Sequence, residues 1–315
     1  MTGYLIRRFA TSLVVIFGIA LLTFLATHWI APSPGRALLG AKASVAAVNA
    51  FNKAAGFDRP VLAQFGSYLW HLVHGNLGYS YKLNESVDTL IVQNAPHSMW
   101  LSGISLVLSI GIAVPLGIFQ ALKRNSVADQ AITALAFTTY SMPQNFLGIL
   151  LIGFLAISLH VFPAEASQNE GILQYILAFR ANFLPIMTLT ISYVAGYSRY
   201  QRSSALDALA QDYIRLARAK GLRERTVLSR HLLRNASLSM VTLVGLSIPA
   251  LFGGNLIVEN LYNSHGLGLL FINQLGAEDF STVIALTLIA GIATVVGNFV
   301  ADVALTIADP RIRIN

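Results

Sequence analysis

Six long apolar stretches dominate the pattern of hydrophobic and polar positions along the chain. Shorter polar segments separate them, and they cover residues 9–31, 98–120, 131–160, 182–199, 238–260 and 281–307. A helix rises about 1.5 Å per residue, so roughly twenty apolar residues are needed to cross about 30 Å of hydrocarbon. The pattern therefore predicts an all-α integral membrane protein with six transmembrane helices, forming one transmembrane domain over residues 1–315.

The first apolar stretch follows two arginines, Arg7 and Arg8, an arrangement that secretory signal peptides also show. Its length of about twenty residues exceeds that of a signal-peptide core, and no small-x-small cleavage motif follows it. We therefore expect residues 9–31 to be an uncleaved first membrane span.

Polar side chains interrupt or border two of the stretches. The sequence Ser141-Met-Pro-Gln-Asn145 divides the third stretch and predicts a kink or a broken helix. Gln144 and Asn145 either satisfy the backbone carbonyl that Pro143 leaves without a donor, or they line a translocation path. Asn255 and Glu259 lie near the outer end of the fifth stretch, where they contact the solute or its receptor, or face the membrane interface.

Two polar segments have patterns of their own. Residues 32–97 form a segment that is predicted to lie outside the membrane. Within it, apolar residues recur at the spacing of an amphipathic helix: Val61, Leu62, Phe65, Leu69, Leu72 and Val73. This part is expected to lie along the membrane surface or to pack on the bundle. Residues 200–237 form an inside loop that is rich in charge and also in alanine and leucine.

The charge composition supports a lipid environment and fixes an orientation. Only 11% of residues are charged, against about 25% in a typical soluble domain. Of the 21 lysines and arginines, 15 fall on segments that lie inside if the amino terminus is inside, as the positive-inside rule requires. Both termini, including a tail at residues 308–315, are therefore predicted to be cytoplasmic. The net charge of +7 belongs to this topology, and no nucleic-acid partner is expected.

No thiol chemistry is available, because the chain has no cysteine. His71, His74 and His97 raise the question of a metal site, but no carboxylates accompany them at ligand spacing. No metal site is therefore predicted.

The inside loop has a clear helical pattern. Good helix formers run from about Leu206 to Lys220 and end at Gly221, which suits the C-cap position, and a second helical segment covers residues 224–234. Ile214, Ala217 and Lys220 share a face whose small residues would let another protein surface approach closely. Arg215, Arg218 and Arg223 can then reach carboxylates on that surface. From charge alone, the favoured interpretation is a loop that is basic only because of topology.

The sequence of this loop favours a docking role over a loop that is basic only because of topology. Asp212-Tyr-Ile-Arg-Leu-Ala-Arg-Ala-Lys-Gly-Leu222, followed by His231 and Asn235, resembles the coupling-helix loop of binding-protein-dependent ABC permeases, particularly their dipeptide and oligopeptide branch. Further similarities to that family extend over nearly the whole chain, at residues 4–9, 57–64, 74–80, 253–268 and 309–313. In that family the loop docks into a groove on an ATPase subunit. The resemblance implies this role for Asp212, Tyr213, Arg215, Ala217, Arg218, Ala219, Lys220 and Gly221.

The resemblance also implies an assembly and a mechanism. The chain would be a permease subunit of an ATP-driven importer, with peptides as the expected substrate, working by alternating access in a bacterial or archaeal cytoplasmic membrane. Its partners would be a second and usually different permease subunit, two ATPase subunits and an extracytoplasmic solute-binding protein. No cofactor is expected in this chain, since ATP and Mg would be bound by the ATPase subunits.

Two other classes of protein fit the sequence less well. An ion-driven secondary transporter is expected to show broken helices in matching halves, and only one span looks broken. A membrane-embedded enzyme needs a paired nucleophile and base, which is not found. The chain also lacks Gly-x-x-x-x-Gly-Lys-Ser/Thr, Gly-x-Ser-x-Gly and His-Glu-x-x-His. The sequence therefore predicts a non-catalytic subunit.

Overall fold

The computed structural model describes residues 2–30, 34–40, 42–80 and 82–308, and most of these are helical. The helices of the first half are α1 (Thr2–Ile30), α2 (Pro34–Leu39), α3 (Val45–Ala54), α4 (Val61–Val73), α5 (Val87–Leu122), α6 (Val127–Ser141), α7 (Gln144–Leu151) and α8 (Ile172–Leu177). Those of the second half are α9 (Phe179–Leu209), α10 (Asp212–Ala219), α11 (Glu224–Thr226), α12 (Leu233–Ala236), α13 (Leu238–Gly253), α14 (Leu256–Leu261), α15 (Leu267–Gly276) and α16 (Phe280–Ala308).

Two π-helical segments extend shorter helices. Ile152–Ser158 continues α7, and Val227–Leu232 joins α11 to α12, so that residues 224–236 form one helical rod. Such wide turns inside helices are rare and occur often at functional sites. Nearly all of the predicted tail, at residues 309–315, lies outside the described part of the chain.

A short antiparallel ladder departs from the all-α prediction. Strand β1 (Tyr79–Ser80) pairs with β2 (Glu85–Ser86), and Tyr79 lies opposite Ser86. Ser86 is also the N-cap of α5, where its hydroxyl accepts a hydrogen bond from the Thr89 N–H at 3.3 Å. A two-residue ladder is too short to produce an alternating pattern in the sequence.

The helices pack around a central pair. The most extensive interface joins α5 to α9; α13 packs on both α16 and α5, α1 packs on α16, and α6 packs on α9. Gly117 allows α5 and α9 to approach closely, because a Cβ at this position would lie 2.8 Å from the Ser198 carbonyl oxygen. Small residues have this function at helix interfaces in membranes.

The helices that are long and apolar enough to cross a membrane overlap two of the six predicted spans, or four if bent pairs are included. By length and composition, Val87–Leu122 and Phe280–Ala301 each qualify as a span, and the described residues give up to four spans if two bent helix pairs each count once. α5 begins eleven residues before the predicted limit at 98. α9 continues through Leu209 into the segment predicted as loop. The six-span arrangement is taken up below as a proposal.

The predicted interruption of the third span is confirmed. α6 ends at Ser141, α7 begins at Gln144, and their directions differ by 106°. Met142, which precedes the proline, has extended backbone angles of φ −78° and ψ 131°. The proline ring disfavours helical geometry in the preceding residue, which accounts for the break.

The predicted fifth span is too long at its outer end. α13 stops at Gly253, and Gly254 takes a left-handed conformation with φ +74°. The chain then turns into a hairpin of α14 and α15, which we call the outer hairpin (residues 254–276). The apolar window continued past Gly254 because α14 begins with the apolar residues Leu256-Ile257-Val258, whereas the backbone break depends on a single glycine.

The amphipathic helix predicted between the first two apolar stretches is confirmed as α4. Its Phe65 is buried and packs against α1, with ring centroids 5.8 Å from Phe17 and 5.2 Å from Phe24. Leu62 and Val73, which the same spacing assigned to the buried face, are largely exposed. α4 thus packs on the bundle along a narrow line.

Candidate functional site

The inside loop begins with a break that the sequence pattern did not show. Instead of one helix from about Leu206 to Lys220, α9 ends at Leu209 and α10 starts at Asp212 after a turn. Gln211 is the N-cap, with an extended backbone and no side-chain cap hydrogen bond. Asp212 places its carboxylate in the first turn of α10, where it interacts favourably with the helix dipole.

Gly221 ends α10 as the sequence predicted. Its φ is +72°, its N–H donates to the Arg218 carbonyl at 2.9 Å, and the Leu222 N–H donates to the Ala217 carbonyl at 3.3 Å. This pair of bonds is the Schellman motif, which favours glycine at the left-handed position. A Cβ at residue 221 would meet nothing within 4 Å, so only backbone strain opposes a substitution.

The underside of α10 is attached to the rest of the chain by apolar contacts. Ile214 is fully buried and Ala217 is 4% exposed. Both belong to a cluster with Ala121, Ala205, Ala208, Val227, Leu232 and Ala236. This corrects the predicted docking face: Ile214 and Ala217 already contact the chain's own α5, α9 and 224–236 rod, so Ala217 has almost no surface to offer another protein.

The opposite side of α10 is exposed. This outward face comprises Asp212, Tyr213, Arg215, Leu216, Ala219 and Lys220. Leu216 is 55% exposed and was missed in the sequence analysis, although residues 213, 216 and 220 share one helix face by their spacing. Partial burial raises the pKa of Tyr213 further above physiological pH, and the neutral phenol can donate a hydrogen bond.

Two of the predicted docking arginines already have partners within the chain. The Arg218 guanidinium lies 2.8 Å from the Glu224 carboxylate, which joins α10 to the 224–236 rod. Arg215 lies 3.5 Å from Asp212 along the outward face. Because all four side chains are substantially exposed, both pairs can exchange partners at little cost.

A stronger ion pair lies where α9 enters the loop. Arg202 binds both carboxylate oxygens of Asp129, with Nε–Oδ1 and Nη2–Oδ2 distances of 2.7 Å. The Asp129 side chain is 3% exposed, and the Asn125 N–H also donates to it at 3.0 Å. This pair connects α9 to the start of α6, and two-pronged pairing of this kind resists displacement.

A buried carboxylate organises the other end of the bundle. Glu259 is fully buried and accepts hydrogen bonds from the N–H groups of Asn255, Gly268 and Leu269 at 2.9, 2.8 and 3.2 Å. The Ser98 hydroxyl on α5 donates to it at 2.8 Å. We call these groups the Glu259 network; it closes the outer hairpin and fastens it to α5. Of the two alternatives for Glu259, exposure at the membrane interface is therefore wrong, and a role in the translocation path stays a prediction.

Close packing around Glu259 explains a glycine in the hairpin. A Cβ at Gly268 would lie 2.9 Å from Glu259 Oε2 and 2.8 Å from the Leu256 nitrogen. Asn255 extends the network, since its side-chain amide donates to the Ser102 hydroxyl at 2.6 Å. The structure thus joins Asn255 and Glu259, two of the four predicted path residues, in one network.

Gln144 and Asn145 belong to a different place, the first turn of α7 just past the 106° bend. The carbonyl left without its helical donor by Pro143 is that of Thr139, and it accepts from the Met142 N–H at 3.2 Å. The two amides are thus not needed to satisfy it. Asn145 is exposed and Gln144 is half-buried. A role in lining the path stays a prediction for both.

Comparison with protein families gives two matches that together cover nearly the whole chain. Residues 113–314 match the family described as binding-protein-dependent transport system inner membrane component. Residues 1–102 match a second family, described as the N-terminal region of such membrane components.

Individual relatives match from end to end. The oligopeptide transport system permease protein AppB of Bacillus subtilis (strain 168) is 34% identical over 99% of this chain and 100% of its own length. A putative peptide transport system permease protein of Brucella abortus (strain 2308) is 32% identical, with 99% of each chain covered. The dipeptide transport system permease protein DppB of Lactococcus lactis subsp. cremoris (strain MG1363) is 30% identical over the full length of both. The chain therefore belongs to the family of binding-protein-dependent transport system inner membrane components.

Proposed function

We propose that this chain is one permease subunit of an ATP-driven peptide importer, and that α10 is the element through which ATPase subunits act on it. The carrying observation is the arrangement of α10: an apolar underside buried against α5 and α9, and an outward face left exposed. Membership of the permease family and the peptide-transport names of three end-to-end relatives support the substrate class.

The packing supports six crossings and two cytoplasmic termini. Residues in the amino-terminal halves of α5 and α9 pack in one apolar core with Tyr262. Residues near the carboxyl-terminal ends of the same two helices pack in another core with α10. The two helices therefore run in the same direction, and α6, α7 and the π segment supply the return crossing between them. In this proposal, α1, α13 and α16 are the remaining spans of a single transmembrane domain. Its membrane would be the cytoplasmic membrane of a bacterium or archaeon.

The proposed assembly has four further chains. A second permease subunit completes the translocation path, two ATPase subunits bind ATP and Mg at the cytoplasmic end, and a solute-binding protein delivers peptide from outside. Asp212, Tyr213, Arg215, Leu216, Ala219 and Lys220 form the docking surface. Ala217, Arg218 and Gly221 support that surface from behind by packing, by the Glu224 pair and by ending the helix.

The mechanism follows from what α10 is attached to. When the ATPase subunits close, they displace the outward face, and the buried underside transmits the movement to α5 and α9. The Asp129–Arg202 pair carries it to α6. The Glu259 network keeps the outer hairpin on α5, so the outer end moves as a unit and the path opens alternately to each side. Gln144 and Asn145, at the bend, are placed to line that path.

A pull-down from the native membrane tests the proposal. The tagged wild-type chain is compared with Leu216→Asp, which puts a charge on the outward face. The control is Val127→Asp, an exposed site at the same end of the bundle, where a helix first turn tolerates an acidic residue. We expect ATPase subunits and a second permease with wild type and control, and loss of only the ATPase subunits from Leu216→Asp.

Other results would separate the parts of the proposal. Equal recovery of ATPase subunits with all three variants would place docking elsewhere while leaving the importer assignment intact. If the chain purified alone carried out ion-driven uptake, it would instead be a secondary transporter. Uptake of radiolabelled trialanine into proteoliposomes containing the complete importer, with and without internal ATP, tests the substrate class directly.

A further inference from the structure

One arginine of the bundle is held by aromatic rings instead of by an acidic partner. Arg199 is on α9, one helical turn before Arg202, and it is only partly exposed. Its guanidinium carbon lies 3.9 Å from the centroid of the Phe137 ring and 5.0 Å from that of the Tyr140 ring, both on α6. Within the described part of the chain, Arg199 has neither an ion pair nor a hydrogen bond.

The aromatic contacts position the guanidinium and leave its hydrogen-bonding capacity unused. A cation above an aromatic ring is attracted by the negative face of that ring. The Tyr140 ring itself rests on α9, where a Cβ at Gly196 would lie 3.6 Å from its Cε2. A guanidinium has five N–H donors in a planar fork, and this fork fits both oxygens of a carboxylate. The arrangement therefore presents a positioned carboxylate-binding group with no carboxylate of this chain on it.

The position of Arg199 along the bundle sets it apart from an ordinary basic residue of an inside loop. Phe137 and Tyr140 lie about 12–17 Å along α6 from Asp129, at 1.5 Å per residue. In the proposed six-span arrangement, Asp129 is at the cytoplasmic start of α6, so the Arg199 guanidinium lies well inside the membrane and away from the lipid phosphates on that side. A charge at such a depth normally faces a water-filled path or is paired with an acidic group.

The surface next to Arg199 continues as a series of exposed polar side chains. Thr138, Tyr140 and Ser141 are exposed on the last turns of α6, and Asn145 is exposed just past the 106° bend. A lipid-facing surface at this depth would be apolar. The polar series is therefore better explained by a path that a polar solute follows, with the Arg199 cation at its inner end.

We propose that the Arg199 guanidinium binds the terminal carboxylate of a peptide as the peptide passes along the translocation path. This inference rests on the proposed function. Every linear peptide with a free carboxyl terminus carries this group, so one arginine serves peptides that differ in their side chains. The competing partner is a carboxylate of the second permease subunit. A peptide is favoured because an ion pair between subunits would account for the charge but not for the polar groups that continue to Asn145.

The test uses the complete transporter in nanodiscs without its solute-binding protein, which would itself select peptides. Ligand-observed NMR measures the affinity for trialanine and for trialanine amide, whose terminal carboxylate is replaced by a neutral carboxamide. We expect trialanine to bind at least about tenfold more tightly, since the carboxylate accepts charge-assisted hydrogen bonds. Arg199→Gln should remove most of this difference. Arg199→Lys, which keeps the charge and loses the planar fork, should retain part of it.

Matched variants keep the test specific. Arg180→Gln removes an arginine at the opposite end of α9, whose guanidinium donates to the Val161 carbonyl at 3.2 and 3.0 Å, and it should leave the preference for trialanine unchanged. Phe137→Leu removes the nearer ring and should lower the preference roughly threefold, because the guanidinium is no longer held in place. Phe137 is 49% exposed, so this variant decides the matter if the Arg199 variants fail to assemble.

Equal binding of trialanine and its amide to the wild-type transporter would overturn the proposal, as would an unchanged preference in Arg199→Gln. If Arg199→Gln instead loses the second permease subunit and the wild type does not distinguish the two peptides, the guanidinium belongs to an ion pair between subunits. Uptake assays separate the site from the proposed function. ATP-dependent import of trialanine without carboxylate-dependent binding removes the site and leaves the importer, and the converse result leaves the site and removes the importer.

Discussion

The two ends of α5 are stabilised by opposite kinds of interaction. The helix has 36 residues, so its ends lie about 54 Å apart at 1.5 Å per residue. At its carboxyl-terminal end, beside α10, charged groups lie on the surface and an apolar cluster is buried beneath α10. At its amino-terminal end, a carboxylate is buried and four donors from the outer hairpin and α5 converge on it.

This difference indicates different mechanical roles. Apolar contacts are non-directional, so α10 can tilt on its underside with a small loss of free energy. The Glu259 network has few geometries that satisfy every member, and a buried donor left without an acceptor costs about 1–3 kcal/mol. We infer that the α10 end follows a partner while the outer hairpin moves as a rigid unit with α5. The following predictions test this contrast.

The largest loss of stability is expected for Glu259→Ala. The substitution leaves the donors of Asn255, Gly268, Leu269 and Ser98 facing an empty buried space. We expect the free energy of unfolding to fall by roughly 3 kcal/mol or more. Thermal unfolding of the purified complex measures this, with Asn260→Ala, an exposed neighbour on α14, as the control. Equal melting temperatures for both variants would show that the network is not a rigid fastening.

A smaller and more local effect is expected at the α10 end for Ile214→Ala. This change removes the fully buried side chain of the underside and should weaken the attachment of α10 by about 2–3 kcal/mol. Limited digestion with trypsin reports it, because Arg215 and Arg218 lie on the same helix. Cleavage there should accelerate by roughly tenfold or more.

Leu216→Ala is the matched control on the outward face of α10. It should leave tryptic cleavage unchanged and weaken association with the ATPase subunits. The opposite result would be faster cleavage of Leu216→Ala and loss of only the ATPase subunits from Ile214→Ala. It would mean that Leu216 attaches α10 to the bundle and that Ile214 faces the ATPase subunits.

Hydropathy located the long helices but not where they end. The apolar stretch at 182–199 stops where arginines begin, at Arg199 and Arg202, yet α9 continues through Leu209. Residues 201–209 form good helical turns and still have α5 to pack against through Ala205 and Ala208. A window of apolar residues gives no sign that a helix continues beyond it into water. Pro143 and Gly221, by contrast, act through local backbone geometry, and both were predicted correctly.

The Glu259 network shows a second limit of sequence reasoning. Three of its four donors are backbone N–H groups, which every residue except proline has. The fourth, Ser98, lies 161 residues away along the chain. An acidic residue at the end of an apolar stretch therefore indicated either exposure or a path. Only the glycines at 254, 266 and 268 hinted at a tight hairpin.

An intermediate effect is expected for Asp129→Asn. The Asp129 side chain is buried while that of Arg202 is 26% exposed, so water can partly compensate the arginine once the carboxylate is neutralised. We expect a loss of about 2 kcal/mol in the free energy of unfolding, measured by thermal unfolding. Asp212→Asn, at the exposed pair with Arg215 and in the first turn of α10, should lower the free energy of unfolding by less than about 1 kcal/mol. If the two variants behave alike, the Asp129–Arg202 pair does not link α9 to α6 in the way proposed.

The smallest effect is expected for Glu224→Gln, which removes the partner of Arg218. Both side chains are about half exposed, and pairs of this kind contribute less than about 1 kcal/mol and weaken with salt. Stability should therefore hardly change in low salt and not at all in high salt, as thermal unfolding at two salt concentrations would show. The released Arg218 is then available to the ATPase subunits, so their affinity should stay the same or rise slightly. A large loss of stability would contradict the view that α10 is attached by its apolar underside rather than by its charges.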